Sequence, residues 1–283
     1  FVGAAVAAQI TAATNAIAYA VEASIVGQSG DGIDARDVTV EAKDDAQIDS
    51  YVGAASIAGS AGAFTGSIAI ATAEAANTVE NAVDATVKNV KIEARDLTVS
   101  ALDEGSIEGA GEAAAVAVAI SLGLSLAGGG ARVTATSDTD VTASVDGDGK
   151  LIDLSRDMRV EADSKAWASG STGVASVSLG LISAAESGSE VEVDVLGDVV
   201  AEAVDATFRV DDTLTVQADS HAGGAATAKG FSVSTGLSMA GSLADVDVGS
   251  DATATLGGTV TGGDVEVRAR LLTSDRGTNA SAS

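Results

Sequence analysis

The chain has no cysteine and no proline, a single histidine, and an aromatic content of only 2%. Without cysteine there is no disulfide, no thiolate chemistry and no cysteine-based zinc site. Proline removes a hydrogen-bond donor from a sheet and is confined to edges and bulges. Its absence therefore suits a chain that is nearly all central strand, and the shortage of aromatics predicts a thin core of Val, Ile, Leu and Ala.

Basic residues are also scarce, with 15 Lys and Arg against 41 Asp and Glu and a formal net charge of −26. Such a field repels nucleic acid and anionic membranes, so we expect neither nucleic-acid binding nor membrane insertion. The charge is compatible with bound cations or a saline extracellular setting, and it also keeps an apolar composition soluble.

Sequence signatures of catalysis are missing. His221 is the only histidine, so a catalytic triad or a histidine-based metal site is unsupported. No serine has the glycine pattern of a nucleophile elbow, and no Walker or dinucleotide glycine pattern occurs. Trp167, Tyr19 and Tyr51 are too few to form a stacking platform for nucleic acid or sugar. We therefore predict that the chain is not an enzyme and needs no cofactor.

One short stretch comes back five times, and we call it the marker strand. Each copy alternates apolar and polar residues, which places the apolar ones on one face of a strand. The steps between matching residues of successive copies, from Val38 to Leu97, Met158, Leu214 and Val265 in turn, are 59, 61, 56 and 51 residues, which indicates a repeat array. The positions that define the marker strand are Asp37, Val38 and Val40; Asp96, Leu97 and Val99; Asp157, Met158 and Val160; Leu214 and Val216; and Asp264, Val265 and Val267.

The aspartate that opens four of the five copies could form a row of carboxylates, and Arg36, Arg95 and Arg156 precede three of them. Because an active site is usually unique, the repetition favours a structural role for the recurring Asp and Arg. In that interpretation the Asp accepts hydrogen bonds from turn backbone, and the Arg pairs along the stack. A polysaccharide-acting enzyme that uses the carboxylate row is the remote alternative.

The repeat and the alternation predict an all-β fold, a parallel β-solenoid (β-helix) array of about five units of about 57 residues. The spacing fits one wide coil per unit, or two to three coils of about 19–28 residues each. A β-sandwich of hairpins is the competing fold, but it requires two-residue hairpin turns, and the sequence has few candidates for such turns. We expect one array over 1–283, with approximate units 1–50, 51–109, 110–169, 170–228 and 229–283.

Residues 113–131 are uncharged over a length that could form a transmembrane helix. Their pattern instead has period two, which predicts a strand with a bulky face and a small face. We expect the bulky faces to meet in one core and the small faces in a second, thinner core; alternatively, the small face is exposed as a contact for another chain. The bulky positions are Val116, Val118, Ile120, Leu122, Leu124 and Leu126.

Two turns offer hard oxygen ligands of the kind that calcium prefers. Asp31 and Asp34 lie in a glycine-rich turn before the first marker strand, and Asp146 and Asp148 lie in the turn before the third. These four residues are the candidate metal ligands, and calcium is the metal that their chemistry would suit.

Two of the marker copies, with their flanks, resemble the repeats of a known group of proteins. They read Ala-Arg-Asp-Val-Thr-Val-Glu-Ala at 35–42 and Ala-Arg-Asp-Leu-Thr-Val-Ser-Ala at 94–101, with Gly/Ala-rich arms between. This pattern is similar to large secreted bacterial adhesins, of the filamentous-haemagglutinin-like and leukotoxin-like filamentous types, over almost the whole chain. The resemblance implies an exported structural or adhesive role, a β-solenoid fold and no catalytic residues. Secretion and receptor-binding modules are not recognisable, which leaves the adhesive target open.

These observations predict a structural β-solenoid that is extracellular or at the cell surface and forms part or all of a surface fibre. The chain begins and finishes at nearly one phase of the repeat, so it is either a slice of a longer parent array or a subunit that stacks head to tail. An adhesin stalk or binding module, stabilised by calcium and directed at a host or abiotic surface, is the alternative.

Overall fold

The computed structural model describes residues 2–28, 30, 32–120, 123–272, 274 and 276–283, and their regular secondary structure is strand. None of the described segments is a helix that could cross a membrane. The strands are β1 Val2–Val26, β2 Gly32–Asp34, β3 Asp37–Asp44, β4 Gln47–Ala61, β5 Phe64–Lys88, β6 Lys91–Ala94, β7 Asp96–Asp103, β8 Ser106–Ile120, β9 Leu124–Asp146, β10 Leu151–Leu154, β11 Met158–Ser164, β12 Trp167–Leu179, β13 Ile182–Ser220, β14 Gly223–Ser234, β15 Leu237–Leu271 and β16 Asn279–Ala282.

The strands pair in parallel, and each marker strand pairs with the next one. Val38 pairs with Leu97, Leu97 with Met158, Met158 with Leu214, and Leu214 with Val265. These partners are the residues that define the marker spacing, so the chain winds once for each step of the repeat. The predicted parallel β-solenoid is confirmed, the coil is wide, and the sandwich of hairpins is wrong.

Each coil is flat and has two layers. In the second coil, the 25-residue strand β5 forms one layer, which we call the arm. The chain turns at Asn89 and Val90, and β6, β7 and β8 run back over the arm as the second layer, which we call the return. Asn89 and its counterparts Asp148 and Asp205 adopt left-handed backbone, with φ of 51°, 47° and 52°. Asn and Asp tolerate this conformation better than other non-glycine residues.

The two layers enclose two hydrophobic cores that lie side by side along the coil. The wide core fills the half near the arm-to-return turn and holds the large buried side chains, among them Phe208, Ile92 and Met158. The thin core fills the other half and is made chiefly of alanine and valine. The expected core of aliphatic residues is therefore present, but its thickness changes along the coil.

The layers approach closely across the thin core. The hydroxyls of Ser125 on the arm and Ser178 on the return lie 2.7 Å apart, and those of Thr172 and Ser189 lie 2.8 Å apart. Side chains this short can bridge the layers only because the sheets are closer than the usual spacing of about 10 Å. Glycines on the return, such as Gly109 and Gly170, face valines on the arm.

The bulky face of the period-two stretch points outward, which corrects the expectation that bulky faces meet in a core. Val116 and Val118 on β8 are only partly buried, and Leu124 on β9 is 46% exposed. Ala115 and Ala117, between the valines, are fully buried. The small faces therefore make the thin core, as expected for them. Leu122 lies outside the described residues.

Candidate functional site

The aspartates and arginines at the start of the marker strands form a ladder along the stack. The Arg95 guanidinium reaches Asp37 of the preceding coil at 2.7 Å and Asp96 of its own coil at 2.9 Å. Arg156 repeats the arrangement, 3.4 Å from both Asp96 and Asp157. Each arginine thus ties two coils together, which is the pairing predicted for it.

The same aspartates accept hydrogen bonds from the backbone of the next coil. Asp96 Oδ1 accepts the N–H of Asp157 at 3.3 Å, and Asp157 Oδ1 accepts the N–H of Thr213 at 3.2 Å. Burial alone would raise the pKa of Asp96, but the bonds from Arg95 and the Asp157 N–H, with the nearby Arg156 charge, hold it below its usual range. Asp37, Asp96 and Asp157 thus form a carboxylate row over the first three coils, and an oxygen of each contacts the next coil. Thr213 occupies the position in the fourth coil and separates this row from Asp264.

We expect Arg95→Met to lower the melting temperature more than Arg159→Met does. Arg95 bridges two coils, whereas Arg159 pairs with Glu161 of its own strand at 3.3 Å. Because both arginines are partly exposed, their ion pairs are screened by salt, and the difference should shrink in 1 M NaCl. Thermal melts followed by circular dichroism measure this. Equal effects of the two substitutions at low salt would contradict the role of Arg95 as a bridge.

The candidate calcium ligands do not share one place. Asp146 and Asp148 lie in the same turn, where Asp146 Oδ1 accepts the N–H of Asp148 at 3.2 Å and Lys88 lies 3.6 Å from Asp146 Oδ2. Asp34 ends β2 in the first coil, and Asp31 lies outside the described residues. Within the described part of the chain, no three or more His, Cys, Asp or Glu residues converge on a metal position. Calcium binding stays a prediction, to be tested by melts with and without a chelator.

His221 lies at the end of the marker strand of the fourth coil. Its Nε2 is 3.8 Å from Asp163 Oδ1, and its side chain is partly buried. Asp163 also lies 3.5 Å from Lys165, so the histidine lies beside an ion pair within the return layer. The absence of enzymatic activity stays a prediction.

A polar seam that the sequence reading missed separates the two cores. The carboxylate of Asp44 accepts hydrogen bonds from Tyr19 Oη and, at 2.6 Å, from Asn81 Nδ2 of the arm. One coil further, Asp103 accepts the Gly105 N–H at 2.9 Å and the Ser164 hydroxyl at 3.2 Å. The return side of the seam is the stacked row Asp44, Asp103, Ser164 and Ser220.

Burial has clear consequences for the ionisation of the seam. It raises the pKa of Asp103 to about 6, and the neighbouring Asp44 charge adds to this, while the bond from Gly105 opposes it. The hydrogen bond to Asp44 raises the pKa of Tyr19 to about 12, and burial contributes further. Asp103 is 1% exposed, so its charge is unusually costly in a chain already rich in carboxylates.

A shallow trough on the outer face of the return was also missed. Its floor consists of small residues, and its rim carries Tyr51, Glu112, Lys229 and Phe231. Tyr51 Oη donates to Glu112 Oε2 at 2.8 Å. These residues are far apart in sequence and meet only through stacking, so no local pattern could have indicated the trough.

The arms at the two ends of the stack each have one edge without a partner among the described residues. Strand β1 pairs with β5 alone, and β15 pairs with β13 alone. On the return of the last coil, apolar side chains that a further coil would cover are also exposed, such as Val265 at 50% and Val267 at 46%. Unpaired backbone of this kind is a template for another strand.

No protein-family model, curated protein or solved structure matches this chain.

Proposed function

We propose that this chain is a structural element of an extracellular or cell-surface fibre, in which coils continue from one array to the next. The observation that carries the proposal is the pair of long, unpaired arm edges with matching alternation. The further coil belongs either to a longer parent array or to a second copy of this chain. The similarity of the marker strands to secreted adhesin repeats supports the surface location and an adhesive role towards a host or abiotic surface.

The two ends fit each other in the register that the interior already uses. Val6, Ile68, Leu126, Ala184 and Leu237 occupy one column of paired residues. Continuing the column would place Val6 of a second copy next to Leu237. In this register, inward-facing residues of the two arms lie next to one another as apolar pairs. The pairs are Ile17 with Val248, Val21 with Ala252, and Ile25 with Leu256.

Charge along the arms is compatible with this register. Glu22 is the only charged residue of β1, and it would lie next to Thr253. The three aspartates of the facing stretch, Asp245, Asp247 and Asp251, would lie next to Thr14, Ala16 and Ala20. Like charges directly opposite one another destabilise a strand pair, and none meets along the arms.

The Arg–Asp ladder also has matching ends. Arg36 lies 3.6 Å from Asp37 and its side chain is 77% exposed. At the other end Asp264 follows Gly263, so its own coil contributes no arginine at the ladder position. In a stack, Arg36 would bridge Asp37 and the Asp264 of the preceding copy, as Arg95 bridges Asp37 and Asp96.

We expect electron microscopy of the purified chain to show rods whose length increases with concentration, in steps of about 24 Å for five coils at about 4.8 Å each. Arg36→Glu should raise the concentration needed for stacking by about tenfold or more, because it places a carboxylate against Asp264. Lys150→Glu is the matched control, since it makes the same charge change in a turn inside the stack. If wild-type chains stay single at every concentration, end-to-end stacking of copies is wrong, and the further coil can belong only to a longer parent array.

A further inference from the structure

Two buried carboxyl groups lie side by side at the polar seam, and we call them the carboxyl pair. Asp44 ends β3 in the first coil, Asp103 ends β7 in the second, and the two residues are directly paired in the parallel sheet. Paired side chains project to the same side of a sheet from strands about 4.8 Å apart, so both groups enter the space between arm and return. Their exposed fractions are 2% and 1%. Two negative charges this close and this deeply buried repel each other strongly.

No cation of the described residues neutralises the carboxyl pair. Lys43 and Lys165 lie at or next to the ends of β3 and β11, but both pair with Glu104 at the surface, at 2.5 Å and 3.2 Å. Among the ion pairs in the described part of the chain, none includes Asp44 or Asp103. The carboxyl pair therefore differs from the Arg–Asp ladder, where arginines bridge the coils.

The groups that pack on the carboxyl pair from the arms are uncharged. Tyr19 Oη of the first arm and Asn81 Nδ2 of the second donate hydrogen bonds to the Asp44 carboxylate, and the same column of the third arm holds Thr139. On the return, the adjacent acidic side chains of Asp45 and Glu104 add negative charge to the seam. A proton is therefore the positive charge that can neutralise the carboxyl pair in this environment.

The carboxyl pair binds a proton more tightly while the two coils are closed. Burial, together with the Asp44 charge, raises the pKa of Asp103 to about 6. If the first coil opens, water reaches the pair and the pKa returns towards about 3.9, the value of an exposed Asp. The advantage of the closed form is therefore fully present below about pH 4 and is lost as pH rises through 6. A difference of about two pKa units makes opening about 100-fold more frequent at neutral pH than at about pH 4.

The first coil is the part of the array that yields to this repulsion. Its marker strand β3 pairs with β7 alone among the described strands, and segments with fewer partners open at lower cost. Asp103 is held by the Gly105 N–H of its own coil and by the Ser164 hydroxyl of the third. We propose that proton uptake by the carboxyl pair holds the first coil against the second, and that loss of this proton at neutral pH loosens this end of the array.

The carboxyl pair also bears on end-to-end stacking, and this link rests on the function proposed above. The first coil supplies the edge that a second copy would contact. Leu271 pairs with Ser220 in the column that contains Asp44 and Asp103, so the Asp44 of a stacked copy would lie next to Leu271 of the preceding copy. An apolar neighbour further disfavours charge on the pair. Stacking and proton uptake therefore favour each other, and rods should grow more readily in mildly acidic medium.

Hydrogen exchange of the whole chain, followed by mass spectrometry at concentrations where chains stay single, tests the loosening of the first coil. After correction for intrinsic exchange, the amides of β3 should lose about 100-fold in protection between about pH 4 and pH 7. Residues 264–271, the marker strand at the opposite end, open without disturbing the carboxyl pair and should change far less. Equal losses at the two ends would overturn the proposal.

Asp103→Asn should keep β3 protected at pH 7, because asparagine stays neutral and its side-chain oxygen can still accept the Gly105 N–H. Asp49→Asn removes an exposed carboxylate from β4 of the first coil, and this control should behave as wild type. If Asp103→Asn loses protection in β3 as wild type does, the carboxyl pair does not hold the first coil.

Sedimentation and electron microscopy test the link to stacking separately. At pH 7, Asp103→Asn should form rods at a concentration at least about tenfold lower than wild type, and the two should converge at about pH 4. Glu186→Gln removes an exposed carboxylate inside the array, and this control should stack as wild type does. Equal concentrations for Asp103→Asn and wild type at pH 7 would overturn the link. Chains of both kinds that stay single would overturn stacking itself, and hydrogen exchange would still decide whether the carboxyl pair holds the first coil.

Discussion

Gly170→Val should lower the free energy of unfolding by about 2–3 kcal/mol, the usual upper range for overpacking a core. A Cβ at this position would lie 2.5 Å from Val191 Cγ1 and 3.2 Å from Val133 Cγ1. Both valines are fully buried on the facing arm, and β-branched side chains have little freedom to rotate away. The two layers would have to separate, which would open the thin core in neighbouring coils.

Gly173→Val is the matched control, three residues along the same strand. Gly173 faces outward, and its Cβ would meet only Glu112 Cγ, at 3.9 Å. Valine suits a strand better than glycine, so this variant should be neutral or slightly more stable. Urea denaturation compares the midpoints of the two variants with that of the wild type. If both substitutions shift the midpoint equally, the close approach of the layers at Gly170 is wrong.

The second large effect concerns Asp103 and pH. Its folded pKa of about 6 lies above the value of about 3.9 expected in the unfolded chain. The folded state therefore binds the proton more tightly. The resulting stability is fully present below about pH 4 and is lost as pH rises through 6, a difference of about 3 kcal/mol at 1.36 kcal/mol per pKa unit.

Asp103→Asn should remove this pH dependence. The variant should gain about 3 kcal/mol relative to wild type between pH 4 and pH 7, because asparagine stays neutral while it can accept the Gly105 N–H. Chemical denaturation of both proteins at several pH values measures the difference, in which the titration of the other carboxylates cancels. Asp49→Asn changes an exposed carboxylate on β4 and serves as the control. Parallel stability curves for Asp103→Asn and wild type would show that Asp103 is not held protonated by burial.

The residues around Asp103 in the sequence could not have identified it as a buried carboxylate. Asp103 is the last residue of β7, and its local pattern is that of any polar residue ending a strand. Its burial results from stacking between Asp44 and Ser164 and from the arm that passes over it. The same holds for the trough around Tyr51 and Glu112, whose members meet across coils.

The marker strand shows what the sequence by itself determined. Residues that recur at steps of 59, 61, 56 and 51 pair directly in the structure, because a parallel stack places equivalent positions of successive coils side by side. The structural role of Asp96 and Arg95 followed from the same repetition. Alternation also identified the uncharged stretch as β-structure, but the single strand that it predicted is wrong, because the stretch is divided between β8 and β9 in different layers.

Only the tertiary structure decided the number of coils per unit and which face of the alternating strands is buried. The spacing gives the number of residues between equivalent positions, but it does not give the number of turns that the chain makes between them. Alternation divides a strand into two faces, and the usual rule assigns the bulky one to the core. Here arm valines such as Val133 and Val191 already fill the space beside Gly109 and Gly170 of the return. Small residues of the return such as Ala115 and Ala117 are therefore buried between the close layers, and the bulkier Val116 and Val118 point outward.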